Sequence, residues 1–213
     1  MAPHRLPAMV ISPTRPAKRL TARQRRQQLL DVALRLFANN GFTTTTMDDI
    51  AEAAGVTKPL LYQHFDSKRA LYVELVDSVT QRLLRAIGEA TAAADGPRQQ
   101  VEAGFEVYFA MMLAHADAFR LLFASDTTND PEMAAMVRHV EDMLAEAIDP
   151  LIHADLDDNH RRLLAHAVVG MAEGASRYVL TRPEQTLDGT TATRLARRIG
   201  DLAWAGLRSV HRD

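Results

Sequence analysis

Two short apolar stripes separated by a single glycine constrain this 213-residue chain more than any other feature. They lie in TTTTMDDIAEAAGVTKPLLYQHFDSKRALY, residues 43–72. Thr46 is a favoured N-cap residue, and Asp49 stands three positions on, where a capping box places Glu or Gln. Met47, Ile50, Ala51 and Ala54 then recur at helical spacing on one side. Gly55 stops that helix. After a turn of about three residues a second short helix starts near Thr57. Pro59 is tolerated there because first-turn N–H groups have no intrahelical partner. Asp66-Ser67 ends this helix and caps the next. Within the second helix Val56, Leu61 and Phe65 read as core. Lys58, Leu60, Tyr62 and His64 lie between them and face away, an unusual surface for a helix.

Two short helices joined by a glycine-containing turn are a helix-turn-helix signature. In that motif the second helix enters the major groove of DNA and the first crosses the backbone. The surroundings are helical as well. Residues 21–39 form a helix with Leu29, Ala33, Leu36 and Phe37 on one face, stopped by Asn39-Asn40-Gly41. Residues 67–90 form a long helix through Leu71, Leu75, Val79 and Leu83. Further helices are expected at 97–114, 116–124, 131–152, 159–181 and 190–210, and β-rich alternation is absent. The fold class is therefore all-α. Residues 1–20, with four prolines and no periodicity, read as a disordered basic tail. Residues 21–68 read as the helix-turn-helix domain and 69–213 as a larger helical domain.

Charge divides along the same line. Residues 1–69 hold 11 Lys/Arg and 5 Asp/Glu, a balance of +6, and the remainder stands at −8. A basic head on an acidic body points to a polyanionic partner for the head alone. The chain has no cysteine, which excludes disulfides and thiol catalysis. No apolar run approaches the roughly 18 residues of a membrane span, so a cytoplasmic protein is expected.

Residues 33–72, ALRLFANNGFTTTTMDDIAEAAGVTKPLLYQHFDSKRALY, resemble the TetR family of transcriptional regulators. The matching positions are Phe37, Gly41, Phe42, Thr46, Ile50, Ala51, Gly55, Val56, Thr57, Leu61, Tyr62, His64, Phe65 and Lys68. The resemblance implies DNA-contacting roles for Thr46, Thr57, Lys58, Leu60, Tyr62, His64 and Lys68. In physical terms, Thr46 and Thr57 cap helices whose N-termini can accept a phosphate. Lys58 has the reach for guanine or a phosphate, and Leu60 can meet a thymine methyl. Tyr62, His64 and Lys68 resemble the family's backbone contacts. Arg25 and Arg26 read equally as phosphate contacts or as solvated charges.

The resemblance also implies a homodimer that reads a palindromic operator, with the last two helices pairing across the two-fold axis. Ala167, Gly170, Met171 and Gly174 supply small residues for close approach, and Leu195, Ile199, Leu202 and Gly206 a second stripe. It further implies a ligand cavity in the larger domain. Phe105, Tyr108, Phe109, Met112, Phe119, Leu122 and Phe123, with Met136, Val140 and Met143, are candidate lining residues; plain core is the competing reading. The ligand would be a hydrophobic or amphipathic small molecule that releases a repressor from DNA. A constitutive dimeric factor without an effector is the alternative. Catalytic motifs are missing: there is no HExxH, no Gly-x-Ser-x-Gly and no phosphate loop. DLDDNH, residues 155–160, begins like a calcium loop but has His160 where glycine is required. No catalytic residue, cofactor or metal is expected.

Overall fold

A computed structural model describes residues 20–123, 131–153, 155–182 and 188–210, excluding the side chains of 122, 123 and 131–133. The expected tail at 1–20 thus lies outside the described residues except for Leu20, as do the side chains of Leu122 and Phe123. Among the described residues the secondary structure is helical, with no strand.

The head is built from α1 (Ala22–Asn40), α2 (Met47–Ala53), α3 (Lys58–His64) and the start of α4 (Lys68–Ala92). Local chemistry sets these boundaries. Thr21 and Gln24 form a reciprocal capping box at the start of α1. Thr46 and Asp49 form another at α2, and the Ser67 hydroxyl accepts from the Ala70 N–H at α4. Gly41 (φ 83°) and Gly55 (φ 64°) both adopt the left-handed region that favours glycine. That conformation at Gly55 lets the chain reverse between α2 and α3. Leu29, Ile50, Leu61 and Leu71, one from each helix, are wholly excluded from solvent and form the centre of the head. Burying one such leucine contributes about 1.5–3 kcal/mol.

The body comprises the rest of α4 with α5 (Pro97–Ala114), α6 (Ala116–Phe123), α7 (Pro131–Ile148), α8 (Asp158–Leu180) and α9 (Gly189–Leu207). α5 packs on α4 and α9, α7 on α8, and α6 reaches back onto α1. Tyr72 of α4 fastens that junction. Its ring meets Phe42 and Phe37 with centroids 4.8 and 5.6 Å away, and its hydroxyl donates to the Leu121 carbonyl at 3.2 Å. The expected helix 131–152 stops early: α7 ends at Ile148 and continues as a single 3-10 turn, Asp149–Leu151. Pro150 explains the break, because it lacks the N–H that a continuing helix needs. The DLDDNH segment serves as a helix start. The Asp157 carboxylate accepts from the Asn159 and His160 N–H groups, both at 3.0 Å, and caps α8. Among the described residues, no group of three His, Asp or Glu side chains is placed to hold a metal.

Candidate nucleic-acid interface and body cavity

α3 presents two faces. Leu61 is buried, as is Phe65 just beyond the helix, and Val56 packs partly buried on the same core. Thr57, Lys58 and Tyr62 are exposed on the opposite side, and Leu60 and His64 are half-buried at its edges. Tyr62 keeps 42% of its surface exposed, far more than a packing role for its ring would leave. The seven expected DNA-contacting residues therefore do not all sit alike. Thr57 occupies the N-cap position of α3 but makes no side-chain capping bond there, contrary to the capping expected of it. Pro59 in the first turn lessens the need for one. Thr46, in contrast, is fully engaged. Its hydroxyl accepts from the Asp49 N–H, and its own N–H donates to the Asp49 carboxylate at 2.8 Å. Those bonds hold Asp49 below the ordinary carboxylate range. With Asp48 and Asp49 in its first turn, the N-terminus of α2 already carries its compensating charge.

Lys58 reaches across the turn to Asp48, 2.8 Å away, and this pairing raises the ammonium above its usual value. Both side chains are more than half exposed, so water and salt screen the pair. A phosphate can replace Asp48 at little cost. Lys68 is held more firmly. Its ammonium donates to the carbonyls of Phe42 (2.7 Å), Thr45 (2.8 Å) and Thr43 (3.3 Å) and lies 4.4 Å from the Phe42 ring centroid. Partial burial lowers its pKa. Lys68 thus ties the loop after α1 to the start of α4, an internal role that no neighbouring residue in the sequence foretells.

Arg26 is the other cation with an unforeseen place. Its guanidinium donates to both carboxylate oxygens of Glu74 on α4 and to the carbonyl of His64, the last residue of α3. It also lies 4.3 Å from the Phe65 ring centroid. A planar fork suits this combination, where a lysine could not reproduce it. The end of α3 is thereby pinned to α4. The pinned carbonyl lies 38 residues from Arg26, and Glu74 lies 48 away, so no short-range pattern announces them.

The body contains an apolar cavity of about 70 Å³ between α4, α5, α7, α8 and the end of α9. Of the ten expected ligand residues, Phe105 and Tyr108 line it. Phe109, Met112 and Phe119 are buried without lining it, as is Val140. Met136 and Met143 are half-buried elsewhere. Phe109 and Phe119 instead pack edge-on around the Tyr108 ring, with centroids 5.2 and 5.4 Å away. Unanticipated lining comes from Ile87 and Thr91 of α4, Gln100 and Gly104 of α5, and Val168 and Ala172 of α8. Gln100, Gly104 and Tyr108 recur every four residues on one face of α5, so a polar residue interrupting an apolar stripe was the available signal. Near Tyr108, whose hydroxyl meets Ser176 Oγ at 3.3 Å, Glu173 is partly buried beside Glu141. Burial, with that second carboxylate, pushes Glu173 up to about 7.

The expected dimer residues fall on an open face of α8 and α9. Ala167, Gly170 and Gly174 are exposed, Met171 is half-buried, and Leu163 and Tyr178 extend the same side of α8 with 66% and 52% exposure. Leu202 is 60% exposed and Gly206 exposed, with Leu195 and Ile199 half-buried. A side chain added at Gly170, Gly174 or Gly206 would meet nothing within 4 Å.

Family models match most of the chain. One described as "Bacterial regulatory proteins, tetR family" covers residues 29–75, and one described as "Tetracyclin repressor-like, C-terminal domain" covers 97–206. The HTH-type transcriptional activator FasR of Mycolicibacterium smegmatis is 32% identical over 203 residues, 92% of this chain and 89% of its own length. The HTH-type transcriptional repressor KstR2 of Rhodococcus jostii is 40% identical over 79 residues, which is 37% of this chain and 39% of that protein. Among solved structures, a TetR-like regulator from Rhodococcus sp. RHA1 superimposes with a TM-score of 0.72 at 27% identity, over 90% of this chain and 100% of that one. The fatty acid degradation regulator FadR from Bacillus halodurans shares the fold, with a TM-score of 0.75 at 19% identity over 90% of this chain and 99% of that one. The two-faced helix α3, the helical body and the matches over head and body agree: this chain belongs to the TetR family of DNA-binding transcriptional regulators, and it is not an enzyme.

Proposed function

We propose that the chain is a ligand-responsive regulator that binds a palindromic operator as a homodimer and leaves it when a hydrophobic or amphipathic molecule enters the body. The observation that carries the DNA half of this reading is the outward face of α3. Thr57, Lys58, Leu60, Tyr62 and His64 stand on a helix anchored from behind by Leu61 and Phe65. Such a face combines phosphate donors with an apolar base contact. Binding should weaken steeply with added salt through counterion release. Selecting bound fragments from the genome of origin, then titrating one of them at several salt concentrations, tests it. A flat salt series, or no recurrent palindrome among the fragments, overturns it.

Dimerisation is supported by the exposed small-residue and leucine face on α8 and α9, which leaves large apolar side chains in water unless a second copy covers them. Light scattering at micromolar concentration should give twice the mass of the chain, and Gly170→Arg should return it to a monomer. The apolar cavity supports an effector over the constitutive alternative, because a body built only to dimerise has no need of a void. The fatty acid degradation regulator FadR and the ketosteroid regulator KstR2 of Mycobacterium tuberculosis are named for metabolites built mainly of hydrocarbon, the part of a ligand that this cavity suits.

Repression is the mode we favour for the ligand-released regulator. A second reading has its own support, since FasR, matched over nearly the whole chain, is named an activator. Deleting the gene and measuring transcripts beside the bound fragments separates the two. Repression predicts that they rise, and activation that they fall.

A further inference from the structure

The walls of the body cavity specify more than apolarity. Its long side follows α5 from Gln100 through Gly104 to Tyr108. Eight residues of helix at ~1.5 Å rise give roughly 12 Å of length. α4 returns antiparallel beside it through the short link at 93–96, so Thr91 lies next to Gly104 and Ile87 further along. Thr91 Cγ2 is 3.7 Å from where a Cβ on Gly104 would stand. The polar lining groups Thr91 and Gln100 are therefore both at the α4–α5 hairpin end. Thr91 satisfies its hydroxyl within its own helix, on the Ile87 carbonyl at 2.9 Å and the Gly88 carbonyl at 3.3 Å. Gln100 does not: its Oε1 is buried and has no hydrogen-bond partner among the described residues. A buried amide oxygen left unpaired is costly, and a ligand that pairs it recovers that cost. The remaining polar lining residue, Tyr108, stands about two turns of α5 away at the other end, where its hydroxyl oxygen accepts from Ser176, and burial drives its pKa far up. Among the described residues, no Lys, Arg, His, Asp or Glu lines the cavity.

We infer that the effector is a neutral, elongated apolar molecule with one hydrogen-bonding head, seated with its head on Gln100 and its tail toward Tyr108. This rests on the reading of the cavity as the effector site. A carboxylate head is disfavoured because nothing in the lining neutralises it, and burying an unpaired charge costs more than burying a hydroxyl. The amide of Gln100 can rotate to donate as well as accept, so a hydroxyl, a carbonyl or an amide head satisfies it equally.

The full chain is titrated calorimetrically at pH 8 with three probes: 1-octanol, octanoate and toluene. We expect 1-octanol to bind at least about tenfold more tightly than octanoate. Gln100→Leu should weaken 1-octanol by about tenfold while toluene, which has no polar group, holds its affinity or gains. Gly104→Leu should abolish binding of all three by filling the space. Octanoate binding as well as 1-octanol, or Gln100→Leu leaving 1-octanol unchanged, overturns the neutral-head inference, with the cavity reading intact if Gly104→Leu still blocks binding. If no probe binds, or Gly104→Leu blocks none, the cavity reading itself falls and takes the inference with it.

Discussion

The head and the body solve opposite problems with the same helices. In the head, Lys58, Lys68 and Arg26 each have a defined partner, and four leucine or isoleucine side chains meet at zero exposure. In the body, space is left over. Two buried side-chain oxygens lack partners among the described residues, Thr80 Oγ1 and Gln100 Oε1, and both belong to body helices or the body end of α4. The difference teaches what each part must do. A recognition helix has to hold one attitude against the groove, and tight packing with fixed ion pairs provides that. On the proposed reading of the body as a sensing domain, it has to gain something when a ligand arrives, and a void with an unpaired acceptor is a gain in waiting.

The contrast can be broken most severely at Leu61. Leu61→Ala should cost about 2–5 kcal/mol, because the site sits at the meeting point of four helices and cannot collapse. Operator binding should vanish with the fold of the head, while circular dichroism retains the helices of the body. An operator affinity within a fewfold of wild type would show that the head is as yielding as the body.

Arg26→Met comes next. It removes the bonds to Glu74 and the His64 carbonyl while keeping much of the stem over Phe65. The ion pair is more than a third exposed on both sides, so solvent screening limits the stability loss to about 1–2 kcal/mol. The sharper effect is on DNA: α3 loses its tie to α4, and operator affinity should fall beyond what stability explains. Equal affinity in folded wild type and variant would remove Arg26 from the recognition machinery.

Lys58→Ala should leave the melting temperature nearly unchanged, since its pair with Asp48 is exposed, yet weaken operator binding by roughly ten- to a hundredfold. Its salt slope should be shallower by about one unit if Lys58 meets a phosphate, and unchanged if it reads a base.

The smallest effect lies in the body. Glu173 is raised to about 7 from 4.5, so the folded state holds the proton more tightly than the unfolded one. Its contribution is present below about pH 4.5 and is lost as pH rises toward 7. Glu173→Gln should therefore flatten the decline in stability between pH 5 and pH 8 measured by thermal melts. A decline of the same size in the variant assigns it to other groups.

What was legible in the sequence follows from how far each signal travels along the chain. The capping box at Thr46, the left-handed Gly55 and the α3 core positions are written within one or two helical turns, and the structure places them where the spacing does. Lys68 illustrates the opposite case. Its motif position resembles a backbone contact, but its three carbonyl partners lie 23–26 residues back in the loop, invisible to any periodicity. The aromatic stripe of α5 and α6 shows a third limit. Phe105 and Phe109 are one turn apart and equally apolar, yet only Phe105 borders the void. Which side of a buried helix faces empty space depends on the neighbours that fail to fill it, and no single helix encodes that.

The bridge from Arg26 to Glu74 has a consequence for anyone who would treat this protein as interchangeable parts. A chimera joined after residue 68 would carry the arginine and leave its carboxylate behind, delivering a reading helix whose far end is no longer moored. Joined beyond Leu75, the same graft travels with its own mooring line.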